Sequence, residues 1–124
     1  MKRGVFDSDV VIDYLQNEQP ASDVIAQCDE RLISRVTWIE VLVRAPDAAE
    51  EARIRSLLQR FTIVEVTSAI AQRALELRRN PTPKLKLPDA IIYATAQVEG
   101  CPLLTRNTRD FSSTTGDVIV PYIV

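Results

Sequence analysis

Apolar and polar positions follow two different patterns along this chain, one of which predicts strands and the other helices. Short, largely apolar runs that end in polar or turn residues predict five strands. They lie at Val5-Phe6, Arg31–Ser34, Phe61–Val66, Pro102–Thr105 and Val118–Val120. Apolar residues at helical spacing fill the segments between them. This alternation predicts an α/β fold, specifically a three-layer α/β/α sandwich around a mostly parallel five-stranded sheet.

Capping residues and helix breakers mark the expected ends of the earlier helices. The first helix is expected to open at Ser8-Asp9, and the second follows Pro20. Thr37 is expected to cap the third helix, which places Glu40 in its first turn. The helix dipole would favour a carboxylate at that point.

The later helices have equally clear signals. A charged amphipathic helix is expected over 47–59, and Thr67 is expected to cap the next one. Pro88 suits the first turn of a last helix that runs from Asp89 to about Glu99, because the glycine that follows favours a helix end. The many small residues of this last helix predict close packing at the centre of the fold.

Length and composition limit the class of protein. The 124 residues suit one domain spanning 1–124, and 46% hydrophobic with 26% charged residues is ordinary for a globular protein. Cys28 and Cys101 are far apart and there is no histidine, which excludes histidine catalysis and histidine-ligated zinc. No stretch approaches the roughly 20 apolar residues of a membrane span. We therefore expect a cytoplasmic protein whose chemistry, if any, depends on carboxylates.

Several acids fall near the predicted carboxyl ends of strands. Asp7 ends the first strand, Asp89 begins the last helix, and Asn107 and Asp110 follow the fourth strand. Together with Glu40 they are expected to meet at one edge of the sheet, where open α/β folds bind ligands. Two like charges about 4 Å apart repel each other by roughly 4 kcal/mol at an effective dielectric of 20. A cluster of carboxylates at this edge is therefore hard to retain without a cation. All-oxygen ligands suit Mg²⁺ or Mn²⁺, so the pattern predicts a divalent-cation site.

Each acid also has a simpler interpretation. Asp7 and Asp89 can each serve as a helix N-cap, Glu40 can stabilise its helix dipole, and Asp110 can be a turn residue. The shared location of all of them favours the cation site over four separate explanations.

The basic residues are concentrated rather than numerous. The net charge is −2, and of 15 basic side chains three are Lys and the other 12 are Arg. One cluster immediately precedes Asp89, and its members are candidate contacts to RNA phosphates: Arg78, Arg79, Lys84 and Lys86. The alternative is a solvated helix end and loop.

At this point the sequence resembles the PIN-domain ribonucleases, and among them the VapC-type toxins of toxin–antitoxin pairs. Four segments carry the resemblance, in the order of the family: Val5–Leu15, Ser34–Leu42, Leu87–Ala96 and Leu104–Phe111. They are distributed along residues 5–111 of the chain. The resemblance implies a PIN-like fold and a Mg²⁺- or Mn²⁺-dependent endoribonuclease.

The resemblance also implies roles for individual residues. The acids that would bind metal and carry catalysis are Asp7, Glu40, Asp89 and Asp110. Asn107 would be a neighbouring ligand that sometimes takes the place of Asp110, and Thr105 would orient the site by hydrogen bonding. Asp9 departs from the family, which often has Asn, Ser or Thr there. It would either strengthen metal binding or cap the first helix, and the cap is the favoured interpretation.

Partners follow from the same resemblance. Such toxins usually form homodimers and are blocked by a small VapB-like antitoxin, often through an arginine. Family substrates are structured RNAs, so tRNA or rRNA is expected here.

Three rival functions stay open. A haloacid-dehalogenase-like phosphatase would use Asp7 as nucleophile and Asp9 as acid/base, but it needs a later lysine and none follows Lys86. A phospho-receiver domain lacks the same lysine. The third rival is a PIN-like module that has lost catalysis and only binds RNA or protein.

Overall fold

The computed structural model describes residues 2–81, 84–107, 111 and 116–122. The strands of this part are β1 (Arg3–Phe6), β2 (Glu30–Ser34), β3 (Thr62–Val64), β4 (Leu103–Leu104) and β5 (Val118–Ile119). Its helices are α1 (Ser8–Leu15), α2 (Gln19–Ala26), α3 (Arg35–Leu42), α4 (Ala48–Leu58), α5 (Ser68–Arg79) and α6 (Leu87–Glu99). In the same ranges no helix is both long enough and apolar enough to span a bilayer.

The strands form one five-stranded sheet in the order β3-β2-β1-β4-β5, and neighbouring strands pair in parallel. The predicted α/β fold with a parallel sheet is confirmed. Central strand β1 pairs Val5 with Leu32 on one side and with Leu103 on the other. Two residues further along these registers, Asp7 lies level with Ser34 and Thr105. The sheet topology therefore brings three polar residues to its carboxyl edge.

Alternation along the strands divides the core between the two faces of the sheet. One face carries Phe6, Ile33 and Leu104, which pack with apolar residues of α1 to α4. The other face carries Val5, Leu32 and Leu103, which pack against α5 and α6. All six of these strand side chains are buried. Because both faces are covered, the strands are apolar on both sides, as parallel strands usually are.

The predicted start of α3 is wrong. Ser34 at the end of β2 is the N-cap, and its Oγ accepts a hydrogen bond of 3.1 Å from the Val36 N–H. The helix therefore begins immediately after the strand, and Thr37 is a buried helical residue rather than a cap. Glu40 is the sixth helical residue and lies in the second turn, so the dipole argument made for it does not hold.

The other boundaries differ less. Helix α2 begins at Gln19, with Pro20 inside its first turn, and α6 begins at Leu87, with Lys86 as its N-cap residue. Asp89 therefore lies in the first turn of α6 and does not cap it. Two predictions are confirmed. Thr67 caps α5 through the Ile70 N–H, and the glycine after α6 ends that helix with a φ of 69°.

Candidate active site

Asp7 lies where β1 ends and α1 begins, and it serves two purposes there. Its extended backbone makes it the N-cap of α1, and Oδ1 accepts a 2.8 Å hydrogen bond from the Ser8 N–H. Oδ2 accepts a 2.7 Å hydrogen bond from the Thr105 hydroxyl at the end of β4. The side chain is buried, and hydrogen bonds from two elements fix its orientation. The capping interpretation is correct, and it leaves the carboxylate at the carboxyl edge of the sheet.

Asp9 lies in the first turn of α1, but Asp7 is the N-cap, so the favoured capping interpretation of Asp9 is wrong. Its carboxylate instead faces the segment after β4. The Arg106 N–H lies 3.2 Å from Asp9 Oδ2, and the Thr105 hydroxyl lies 3.5 Å from the same oxygen. Because the Thr105 hydroxyl also contacts Asp7, the two aspartates adjoin the same threonine.

The surroundings of Asp7 and Asp9 raise the pKa of both side chains. Burial, followed by the negative charge of Asp9, raises the pKa of Asp7 to about 7, and Asp89 adds to the rise. Burial also raises the pKa of Asp9, although the Arg106 N–H and guanidinium partly offset it. Asp7, Asp9 and Asp89 therefore form a group of mutually repelling carboxylates. Perturbed carboxyl groups of this kind concentrate at functional sites.

Glu40 joins the site through a hydroxyl group that the sequence analysis did not single out. Ser8 Oγ lies 2.5 Å from Glu40 Oε1 and 3.1 Å from Thr37 Oγ1. Ser8 and Thr37 are both buried and Glu40 is half-buried, so this contact between α1 and α3 is partly shielded from water. The available signal was the spacing: Ser8 follows Asp7 directly, and Thr37 precedes Glu40 by one helical turn.

Thr105 links the candidate residues of the fourth strand to those of the first. It is fully buried, its hydroxyl donates to Asp7, and the same oxygen accepts a 2.9 Å hydrogen bond from the Asn107 N–H. Asn107 therefore begins the loop beside Asp7. Asp110, predicted as the fourth acid, lies outside the described residues.

The basic segment lies at the same end of the fold as Asp89. Arg73 on α5 bonds to Gln97 near the end of α6, and Arg78 near the end of α5 bonds to the carbonyl of Leu85 just before α6. The two helices are therefore antiparallel, and the end of α5 lies beside the start of α6. The four predicted RNA-contacting side chains are exposed there: Arg78, Arg79, Lys84 and Lys86.

The donor set of the site consists of carboxylate, amide and hydroxyl oxygens. Its oxygens are of the type that Mg²⁺ and Mn²⁺ prefer, and the mutual repulsion at Asp7 would be relieved by a positive charge. In residues 2–81, 84–107, 111 and 116–122, no three Asp, Glu or Cys side chains are arranged to hold a metal ion. The chemistry of the site fits a cation, and the complete ligand set stays a prediction.

Comparison with known proteins gives the class. The PIN domain family model matches residues 5–116. A chain of a toxin–antitoxin complex from Klebsiella pneumoniae is 40% identical, with 98% of this chain and 99% of that chain covered and a TM-score of 0.87. This protein belongs to the PIN-domain family. A comparison with curated protein sequences gave no significant match.

More distant structures share the fold alone. FitAcB from Neisseria gonorrhoeae is 16% identical, with 98% of this chain and 99% of that chain covered and a TM-score of 0.78. VapC20 from Mycobacterium tuberculosis, described as a sarcin–ricin loop cleaving toxin, is 15% identical, with 93% and 96% covered and a TM-score of 0.72. The fold is that of VapC-type toxins, as predicted. Membership of the PIN-domain family leaves the phosphatase and phospho-receiver alternatives without support.

Proposed function

We propose that this protein is a Mg²⁺- or Mn²⁺-dependent endoribonuclease and the toxin of a VapBC-like toxin–antitoxin pair. The observation that supports this most directly is the repulsion at the carboxyl edge of the sheet, where Asp9 and Asp89 help to raise the pKa of buried Asp7. Membership of the PIN-domain family supports the same reaction class. An acidic site without histidine has few other ways to activate water for hydrolysis.

The proposed ligands are the acids Asp7, Glu40, Asp89 and Asp110, with Asn107 and Asp9 as neighbouring oxygen donors. When bound there, a divalent cation would supply a Lewis acid for the phosphodiester and for water. The protein's own part is orientation. Thr105 holds one oxygen of Asp7, and Ser8 holds Glu40, so that both carboxylates stay at the same edge of the sheet.

The proposed substrate is a structured RNA such as tRNA or rRNA. The exposed basic segment near Asp89 would contact phosphates beside the acids, through Arg78, Arg79, Lys84 and Lys86. The description of VapC20 as a sarcin–ricin loop cleaving toxin supports rRNA as one substrate class to test first.

The test is cleavage of total tRNA and of ribosomal RNA with Mn²⁺ or with EDTA. Wild-type protein should cleave only with Mn²⁺, and Glu40→Gln should be inactive but folded. Glu51→Gln is a matched control, because Glu51 is an exposed acid on α4 that pairs with Arg55. Full activity of Glu40→Gln would remove Glu40 from the site. Absence of cleavage by wild type would favour the catalytically silent binding module.

The proposed partners are a VapB-like antitoxin and a second copy of the chain, in the cytoplasm. The complexes among its structural relatives support the antitoxin. Exposed Val66, Leu75 and Leu87 border an apolar groove of about 250 Å³ between α5 and α6, which supports an interaction surface. A short DNA-binding protein encoded next to this gene would identify the antitoxin. Light scattering that gives the monomer mass at micromolar concentration would contradict the homodimer.

A further inference from the structure

Asp13 is a buried acid that the proposed reaction does not use. It lies one helical turn after Asp9 on the same face of α1. Asp13 Oδ2 accepts hydrogen bonds from Arg106 Nε at 2.6 Å and from the Tyr122 hydroxyl at 2.7 Å. Asp13 Oδ1 lies 3.3 Å from Arg106 Nη2. Arg106 and Tyr122, which are far from Asp13 in the sequence, therefore both donate hydrogen bonds to this carboxylate.

Arg106 connects that carboxylate to the candidate active site. It directly follows Thr105, and its backbone N–H bonds to Asp9 while its guanidinium bonds to Asp13. The side chain of Arg106 is 33% exposed and that of Asp13 only 9%, so the ion pair is partly shielded from water. Arg106 thus carries a positive charge close enough to Asp9 to lower the pKa of that carboxyl group in part.

The position of this charge affects cation binding. A guanidinium can form two parallel hydrogen bonds with a carboxylate, and one placed on Asp7 or Asp9 would neutralise the oxygens that a metal ion needs. Asp13 offers the guanidinium a two-point partner one turn away, and Tyr122 adds a hydrogen bond that stabilises the charged form of that partner. Arg106 can then contact Asp9 with its backbone alone.

We propose that Asp13 and Tyr122 are positioning residues that hold the Arg106 guanidinium away from Asp7 and Asp9, so that these carboxylates remain available to a divalent cation. This inference rests on the proposed function, because it assumes that a cation binds there. It adds two elements to that function: the Arg106 guanidinium as a competitor of the metal ion, and Asp13 with Tyr122, here called the clamp, which hold that guanidinium in place.

Paired variants test the clamp. Asp13→Asn keeps the shape of the side chain but loses the charge that retains the guanidinium. Mn²⁺ affinity should fall by about 10-fold to 100-fold, the usual effect of losing a group that orients a metal site. Adding Arg106→Gln removes the competing charge, so the double variant should recover the wild-type affinity. Tyr122→Phe removes one hydrogen bond from Asp13 and should cause a smaller loss, again reversed by Arg106→Gln.

Mn²⁺ alone is the probe, and electron paramagnetic resonance of the free ion measures its binding while circular dichroism confirms folding. Asp117→Asn is the matched control, because Asp117 also accepts a tyrosine hydroxyl, from Tyr93, but lies before β5. It should bind Mn²⁺ like wild type. If Asp13→Asn does not fold, the Tyr122→Phe pair gives the same comparison.

The outcomes separate the two proposals. If wild-type protein binds no Mn²⁺, the proposed function fails. If wild type binds and Asp13→Asn binds equally well, the clamp is wrong and the proposed function stands. If the double variant is as weak as Asp13→Asn, Asp13 has only a structural role and the clamp is wrong as well.

Discussion

The acids at the two edges of the sheet have partners of different charge. At the amino edge, Arg3 lies between two glutamates, with Nε 2.8 Å from Glu30 and Nη2 3.0 Å from Glu99. At the carboxyl edge, the two oxygens of Asp7 accept hydrogen bonds from neutral groups, a backbone N–H and the Thr105 hydroxyl. At the first edge both acids share a guanidinium as partner. At the second edge burial and the neighbouring acids Asp9 and Asp89 raise the pKa of Asp7.

The difference separates structural charges from functional ones. Exposed ion pairs such as those of Arg3 contribute little to stability and impose no cost when both partners are present. A buried carboxylate next to other carboxylates is destabilising, and such groups concentrate at sites that bind a ligand or carry out a reaction. The carboxyl edge is therefore the place to look for a ligand, and the amino edge supplies matched controls.

The largest expected effect concerns catalysis. Asp7→Asn and Asp89→Asn should each reduce RNA cleavage by orders of magnitude, because each removes a proposed ligand charge while keeping the side-chain shape. Glu30→Gln and Glu99→Gln at the amino edge should cleave RNA like wild type. Single-turnover rates with Mn²⁺ provide the measurement, and circular dichroism confirms that every variant is folded.

If a variant of the amino edge loses as much activity as a variant of the carboxyl edge, the contrast between the two edges has no functional meaning.

Much of the carboxyl edge could be predicted from the sequence, whereas the ion pairs of the amino edge were not predicted. The apolar runs located the strands, and strand ends located Asp7 and Thr105, because parallel strands share one carboxyl edge. The helix-breaking glycine and the Thr67 cap also predicted their boundaries correctly. These features depend on local sequence or on the topology of α/β folds, both of which can be inferred from one chain.

Long-range contacts of side chains could not be predicted in the same way. Ser8 and Glu40 are 32 residues apart, and Asp13 and Tyr122 are 109 residues apart, so nothing local indicates either hydrogen bond. The start of α3 was missed for a different reason. Ser34 and Thr37 are both good caps, and only the extended backbone at Ser34, where β2 ends, decides between them.

The next largest effect concerns pH. The pKa of Asp7 is about 7 in the folded protein, against an ordinary value of 3.8. Between these two values the folded state holds a proton that the unfolded state releases, so the contribution of Asp7 to stability should be largest below about pH 4 and fall as the pH rises to 7. The loss is on the order of a few kcal/mol, since one pKa unit corresponds to about 1.4 kcal/mol. Urea unfolding in EDTA at a series of pH values measures it.

Asp7→Asn should remove this pH-dependent loss, whereas Glu30→Gln should keep it. A wild-type stability that stays level between pH 4 and 7, relative to Asp7→Asn, would show that Asp7 ionises without cost.

Metal should have a smaller but opposite effect on stability. A ligand that binds only the folded state adds about 2.7 kcal/mol at a hundredfold excess over its dissociation constant. Mn²⁺ should therefore raise the melting temperature of wild type at pH 7, and EDTA should reverse the rise. The amino-edge variant Glu99→Gln should respond equally, and Asp89→Asn should respond much less. Equal responses of both variants would place the bound ion away from the carboxyl edge.

The smallest expected effect tests how RNA approaches an edge that is itself negative. The basic segment near Asp89 would offset the repulsion between phosphates and carboxylates. Each single-stranded phosphate contact contributes about 0.7 to the slope of log affinity against log salt, so replacing all four basic residues by alanine should lower the slope by about 3 at most.

Alanine at Arg53 and Arg55 is the matched control, since these arginines pair with glutamates on the exposed side of α4. Binding is measured with the inactive Glu40→Gln protein, so that the RNA stays intact. An unchanged slope in the fourfold variant, or an equal loss in the α4 control, would mean that RNA does not reach the acids across this segment.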